Sequence, residues 1–255
     1  MQRMNYADAY SALIKRYQDI LMNNDSVKRL LAENDLSHLH LGFVPENYSD
    51  EKVIVLFIGR ETRGWKIGDD INEYNLETIK KSIAKSKNWF ENPKLKRGHG
   101  FFNYVKQLEK DNPIACFLWA NIFACDYKKG CPTKLKDSIL FNEIEILSVE
   151  LIKAQIEILK PNIVIFASGN QGVQTRRKYF ENLKPSGKRI DESLDKKYLE
   201  RFYFSDNPKI ICYRTVHPSA RREEPCKALR TLRTLLKRNV SELTNSKLTG
   251  EKNVS

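Results

Sequence analysis

The sequence predicts an α/β fold of three layers, with a central four-stranded, mostly parallel sheet between two layers of helices. Two observations carry this expectation. Four short apolar runs, VIVLFIG (53–59), CFLWANI (116–122), IVIFASG (163–169) and KIICYRTV (209–216), lack the alternation of a half-exposed strand and read as strands buried on both faces. Between them lie the helical patterns GFFNYVKQLEK (100–110), ILFNEIEILSVELIKAQIEILK (139–160) and GVQTRRKYFENL (172–183). Strands alternating with helices make a parallel sheet covered on both faces.

The remaining elements follow in order. Tyr6, Tyr10, Leu13, Ile14, Tyr17, Ile20 and Leu21 recur at helical spacing, which predicts one amphipathic helix over 5–31 that covers the sheet or the side remote from the ligand. Residues 66–97 are charged and weakly periodic, the pattern of a functional insertion or lid. After the last strand, PCKALRTLRTLLKR (225–238) carries a proline at a helix-compatible position and a leucine every three or four residues, predicting a closing helix with a basic face. The polar residues 241–255 are expected to form a disordered tail behind a single domain of residues 1–240.

A chain of 255 residues with 41% hydrophobic content can bury a substantial core, and its length fits one α/β domain better than two. Lysine and arginine outnumber the acids 44 to 32, a formal charge of +12 that favours a polyanionic partner such as DNA or RNA, against the alternative of a merely soluble basic surface. The five cysteines (116, 125, 131, 212 and 226) form no C-x-x-C pair and mostly lie in or beside apolar runs, as reduced thiols of a cytoplasmic protein do. The amino-terminal stretch MQRMNYADAYSALIKRY has neither the apolar core of a signal peptide nor the length of a membrane span, so no membrane partner is expected.

Ligands of open α/β sheets bind beyond the carboxyl ends of the strands. Gly59, Arg60, Glu61, Thr62 and Arg63 follow the first run, Asn121 to Asp126 close the second, Ser168 to Gln171 the third, and His217 to Arg222 the fourth. One mouth thus gathers a carboxylate, a carboxamide, an amide-rich turn, a histidine and several arginines, a set suited to an anionic ligand.

Along residues 53–222 the chain resembles the uracil-DNA glycosylase superfamily, through motifs in the family's order. FIGRETRGW is similar to the first motif, a strand ending in a glycine turn; RGHGFFNYV is similar to the G-x-x-F-W segment of the mismatch-specific branch. WANIFACD resembles the strand ending in a base-reading asparagine, ILKPNIVIFASG the helix and strand before the last site strand, and VHPSARR the closing H-P-S motif. The resemblance implies a monofunctional enzyme that flips a nucleotide out of DNA and hydrolyses its N-glycosidic bond, leaving an abasic site.

It also implies roles. Phe101 or Phe102, with Phe101 the more exposed reading, would stack on the base; Asn121 would read its edge; His217 would donate to the base O2; Gly59 would let the base approach. Asn121 and His217 each have an ordinary alternative, as a turn asparagine and a structural histidine at a strand end. Glu61 would orient water and stabilise the cationic sugar, unless it simply pairs with Arg60 or Arg63 and Asp126 takes that part. Ser168, Gly169, Asn170, Ser219 and Arg222 would hold phosphates, and Arg221 would fill the gap left in the duplex.

Two departures matter. Arg63 and Gly64 stand where the uracil-specific branch has a tyrosine that walls off C5, so a pyrimidine enlarged at C5 is the expected substrate, with uracil as a lesser one. Arg63 and residues 66–97 would then meet a polar appendage, such as the hydroxymethyl or sugar groups of some viral cytosines, in single- or double-stranded DNA, which makes an antiviral role the expectation and uracil repair the alternative. The first cysteine is Cys116, without the close amino-terminal pair of the iron–sulfur branches, so no cluster and no other cofactor is expected, and His38 and His40 read as one face of a strand or loop rather than metal ligands. The expected form is a monomer.

Rival readings keep the fold and drop the chemistry, as a nucleic-acid-binding module with a degraded first motif, or change the chemistry. ASGNQG is neither a G-x-S-x-G nucleophile turn nor a phosphate loop, and the carboxylates of NEIEIL fall in a helical pattern without the placed lysine of a nuclease.

Overall fold

A computed structural model of the chain describes residues 3–22, 24–50, 52–69, 71–93, 100–187 and 189–250. The four apolar runs form neighbouring parallel strands: β1 (Val53–Gly59), β2 (Ala115–Asn121), β3 (Ile163–Phe166) and β6 (Ile211–Thr215). Every residue of β1, β2 and β3 is buried, as runs without alternation require.

The expectation of four strands is corrected to six among the described residues. The short strands β4 (Leu183–Pro185) and β5 (Leu199–Phe204) add antiparallel to β6, giving the mixed order β2-β1-β3-β6-β5-β4. At the edge, β4 is three residues long and ends in a proline, which protects it from pairing with another chain.

Helices lie on both faces. Phe57 of β1 meets Phe101 and Tyr104 of α4 (Gly100–Asp111), and Tyr104 in turn donates to the Leu229 carbonyl of α7 (Glu223–Gly250). On the opposite face α5 (Ser138–Leu159) packs beside α6 (Val173–Tyr179), tied by the Thr175 hydroxyl donating to Glu145 at 2.5 Å. The chain leaving β1 turns to the α4 face and the chains leaving β2 and β3 turn to the other, which opens a crevice at the carboxyl ends of these strands.

Several boundaries differ from expectation. The opening helix is two helices, α1 (Tyr6–Leu21) and α2 (Asp25–Ala32), because Asn24 caps a new amino terminus: its side chain accepts from the Ser26 and Val27 amides. Residues 66–97, expected as an insertion or lid, hold a helix, and the tail expected to be disordered is helical in part. Within 66–97, α3 (Leu76–Glu91) buries Ile79, Ile83 and Phe90, while residues 70 and 94–97 lie outside the described part. Helix α7 runs to Gly250, with Leu243 packed on the core and Lys247 donating to the Asp50 and Lys52 carbonyls, so the disordered tail expected over 241–255 is replaced by helix up to 250, and 251–255 lie outside the described residues. No helix among the described residues is long and apolar enough to cross a membrane.

Candidate active site

The pairing of β1 with β2 sets Gly59 directly beside Asn121. Two further bonds, from the Ile122 amide to the Gly59 carbonyl (3.0 Å) and from Phe123 to Arg60 (2.9 Å), extend the pairing into the loops and hold the two strand ends together. The turn after β1 is pinned by Asp126, whose Oδ2 accepts from the amides of Gly64 (2.7 Å) and Trp65 (3.3 Å), with Gly64 in the left-handed region at φ 68°. Asp126 is 1% exposed and does not line the cavity, so the alternative in which it orients water is corrected: its carboxylate is a clamp for the turn.

Glycine allows two close approaches here. A Cβ on Gly59 would stand 2.5 Å from Asn121 Oδ1 and 2.8 Å from the Phe101 ring, so only a bare Cα lets amide and ring meet. A Cβ on Gly100 would stand 2.9 Å from Ser219 Cα, so the first turn of α4 abuts the H-P-S loop and brings the Phe101 ring within 6.2 Å of the His217 ring, centroid to centroid. Arg97, Gly98 and His99 of the RGHGFFNYV motif lie outside the described residues.

Gly59, Phe101, Asn121 and His217 therefore converge from four elements, and the last three line a cavity of about 450 Å³ together with Glu61 and Ser219. The amide-bearing Ser219 can only donate from its backbone N–H, which reaches His217 Nδ1 at 3.2 Å, so Nδ1 accepts and a neutral ring carries its proton on Nε2. Burial, with Arg60 and Arg63 nearby, lowers the His217 pKa from 6.5 to about 4, so at neutral pH the ring is an uncharged donor.

Asn121 is 4% exposed, its Oδ1 accepts from the Trp119 indole N–H at 3.2 Å, and its Nδ2 has no partner among the described residues. An indole can only donate, so Trp119 fixes the amide with its oxygen inward and its two N–H groups unspent. Thr62 Oγ1 and Trp65 Nε1 are also buried without a partner among the described residues, and both residues line the same cavity. Each buried unsatisfied group costs about 1–3 kcal/mol, so one cavity concentrates a cost that a ligand bearing acceptors would relieve.

Glu61 lines the cavity with its side chain 2% exposed, and Arg60 grips it through Nε and through Nη2 at 2.8 Å. The pair outweighs the desolvation that burial imposes on Arg60 and holds that guanidinium's pKa above its ordinary value. The Arg63 side chain is 71% exposed, with Nε 3.9 Å from Glu61. Of the residues expected to touch DNA, Ser219 lines the cavity and spends its hydroxyl on His217 at 2.7 Å, while Asn170, Arg221 and Arg222 are exposed and do not line it. Gly169, at φ 65°, packs against His217. Ser168 is 3% exposed with its Oγ under Gly172, where it cannot reach a phosphate, so that expectation is corrected.

Phe102, the other ring expected to stack, lines the cavity too, as does Trp65 of the turn after β1, but sequence reasoning missed Trp89 and Trp119, which complete an aromatic wall with them, and Lys85, which places its Nζ 5.1 Å over the Trp65 ring. Trp119 was within reach, since it lies two residues before Asn121 on the same face of β2. Lys85 and Trp89, four apart on α3, share a helix face, but only the packing of α3 turns that face to the cavity. His40 belongs to the structure behind the wall: it is buried against Trp119 with Nε2 2.8 Å from Ser86 Oγ. No protein-family model and no curated protein matches this chain.

Proposed function

We propose that the chain is a DNA glycosylase of the uracil-DNA glycosylase type that excises a pyrimidine from a flipped nucleotide. The observation that carries this reading is the convergence of an aromatic ring, an unpartnered amide donor and a neutral histidine donor on one cavity, beside a buried carboxylate. Phe101 stacks on the base, a contact worth about 1–3 kcal/mol. Asn121 Nδ2 donates to a ring acceptor on the base edge, a carbonyl oxygen or an unprotonated nitrogen. As the bond from C1′ to the base breaks, its electron pair goes to the base, and His217 Nε2–H meets the charge growing on O2. Glu61 faces the cationic sugar and orients the water whose oxygen bonds to C1′; the proton that water loses balances the one the departing base takes up.

A pyrimidine enlarged at C5 fits this cavity better than uracil. At roughly 30 Å³ per water-sized group, 450 Å³ accommodates about 15 such groups, well beyond a lone pyrimidine. Past the base, Trp65 Nε1 and Thr62 Oγ1 offer hydrogen bonds to an oxygen-bearing substituent, so hydroxymethylated or glucosylated cytosine of viral DNA is the substrate class proposed, with defence rather than repair as the role. Arg63, mostly exposed, serves at the rim.

A second reading, a binding module without catalysis, is favoured by the grip of Arg60 on Glu61, which competes with any water for the carboxylate. The deciding experiment incubates the chain, in EDTA, with DNAs carrying uracil, 5-hydroxymethylcytosine or its glucoside, scores alkali-labile sites and identifies the released base. Release from the C5-substituted DNAs, lost in His217→Ala and Asn121→Ala, is the expected result. Release from uracil alone keeps the reaction and removes the C5 argument; DNA binding without release of any base establishes the binding module.

A further inference from the structure

The face of the sheet under α6 buries two arginines around one carboxylate. Arg214 of β6 donates through Nη2 to the Lys196 carbonyl at 2.5 Å and to Glu200 of β5 at 3.2 Å, so Glu200 is already paired. Arg176 of α6 is 4% exposed, lies 4.3 Å over the centroid of the Phe202 ring, and forms no salt bridge among the described residues. The Nε atoms of both arginines are buried without a partner among the described residues. A cavity of about 490 Å³ opens on Arg176, with Arg177 and Lys184 exposed at its mouth.

A buried ionisable group without a counterion ordinarily escapes the cost by losing its charge. An arginine does not: burial, and then repulsion from Arg214, lower the Arg176 pKa only to about 10, so it stays cationic at neutral pH. Compensation has to come from an anion. Arg176, Arg177 and Lys184 line the cavity with Glu181 and Glu200, and Arg214, outside the lining, already holds Glu200, so the group of four cations and two carboxylates carries a surplus of two positive charges, which matches a phosphoryl dianion better than a carboxylate.

We propose that this cavity is a phosphate site, separate from the candidate active site, in which Arg176 receives a phosphoryl group and Arg177 and Lys184 close around it. The phosphate belongs either to the DNA backbone beyond the flipped nucleotide or to a free nucleotide. The site stands independently of whether the chain releases bases.

The test melts the full chain in inorganic phosphate and in chloride at matched ionic strength. Wild type is expected to melt higher in phosphate, and Arg176→Met to lose that difference while melting no lower than wild type in chloride, because it removes an uncompensated charge. The double variant Arg177→Ala/Lys184→Ala changes only exposed residues and is expected to weaken phosphate binding about tenfold with its melting in chloride unchanged, which keeps the test decisive should Arg176→Met not fold. Absence of a phosphate-specific shift in wild type, or its full retention in either variant, overturns the proposal. The source is read from salt titrations of oligonucleotide binding: loss of about one unit from the slope of log K against log salt in the variants assigns the site to a DNA phosphate. An unchanged slope, with a shift induced by a mononucleotide and lost in the variants, assigns it to a free nucleotide.

Discussion

Gly59→Ala tests the geometry of the candidate active site most directly. The added methyl would lie 2.5 Å from Asn121 Oδ1 and 2.8 and 3.1 Å from two carbons of the Phe101 ring. Neither neighbour yields freely: Oδ1 is held by the Trp119 indole at 3.2 Å, and the Phe101 ring lies against Phe57 and Trp119 at centroid distances of 5.4 and 6.0 Å. Restoring a carbon contact of about 3.5 Å moves the amide by about 1 Å and the ring by somewhat less. Overpacking of this kind costs about 1–3 kcal/mol of stability, while a 1 Å misplacement of a positioned group costs about 100-fold in rate. Urea unfolding and single-turnover base release, measured on the same preparation, are expected to show both losses. Gly42→Ala is the control, since its Cβ would stand 2.1 Å from Gln155 Oε1 at a residue that does not line the cavity. It should lose comparable stability and leave release per folded molecule nearly unchanged. A Gly59→Ala variant that is destabilised yet releases base at the wild-type rate, or a Gly42→Ala variant slowed as much, would refute the reasoning.

Three further outcomes are expected. His217, with its pKa lowered to about 4, stays an uncharged donor through the weakly acidic range, so the rate of release keeps its plateau to about pH 5 and falls as pH drops through about 4; a plateau ending near 6.5 would contradict the burial assigned to this ring. Trp119→Phe keeps the ring and removes the N–H that holds Asn121, which costs about 0.5–1.5 kcal/mol of stability and slows release by no more than about tenfold; a variant as slow as Asn121→Ala would place Trp119 against the base itself. His40, lowered to about 3 by burial, binds no proton in the folded state while the unfolded chain takes one up below 6.5, so its contribution to stability is intact above 6.5 and falls by about 1.4 kcal/mol per pH unit towards 3. Unfolding curves at pH 7, 5 and 4 should therefore converge for wild type and His40→Gln, and a constant gap between them would disprove the assignment.

The parallel centre of the sheet was legible because strands buried on both faces need uninterrupted apolar residues, and 53–59 and 116–122 contain little else. The antiparallel edge was not: LERFYF of β5 mixes two charges with its buried Leu199, Phe202 and Phe204, and LKP of β4 is too short to carry a period. The break between α1 and α2 is set by one capping side chain inside a pattern that stays amphipathic on either side, and the carboxyl end of α7 is held by distant partners, Lys247 on the loop before β1, that no local pattern reveals. In the site, Gly59, Asn121 and His217 were legible as strand-end residues. The part played by each carboxylate was not, because it depends on which amides or cations fold against it: Asp126 meets two backbone amides and Glu61 meets Arg60.

The distribution of unpartnered polar atoms gives the two cavities a common physical meaning. Among the described residues seven buried side-chain atoms lack a partner, and three of them, on Thr62, Trp65 and Asn121, belong to residues of the first cavity, while that on Arg176 belongs to a residue of the second and that on Arg214 to the arginine that holds Glu200 behind it. Folding alone would select against such atoms, since each lost hydrogen bond subtracts from a net stability of only about 5–15 kcal/mol. Their arrangement also differs in kind: the first cavity presents neutral groups, chemistry suited to the edge of an uncharged ring, whereas the second presents a guanidinium group, chemistry suited to full negative charge. A nucleotide carries both chemistries in one molecule, a neutral base and an anionic phosphate. A ligand that filled only one cavity would relieve only part of the cost, so stabilisation by a base-bearing oligonucleotide should exceed that by inorganic phosphate if both cavities read the same strand, and the two should act additively and independently if they do not.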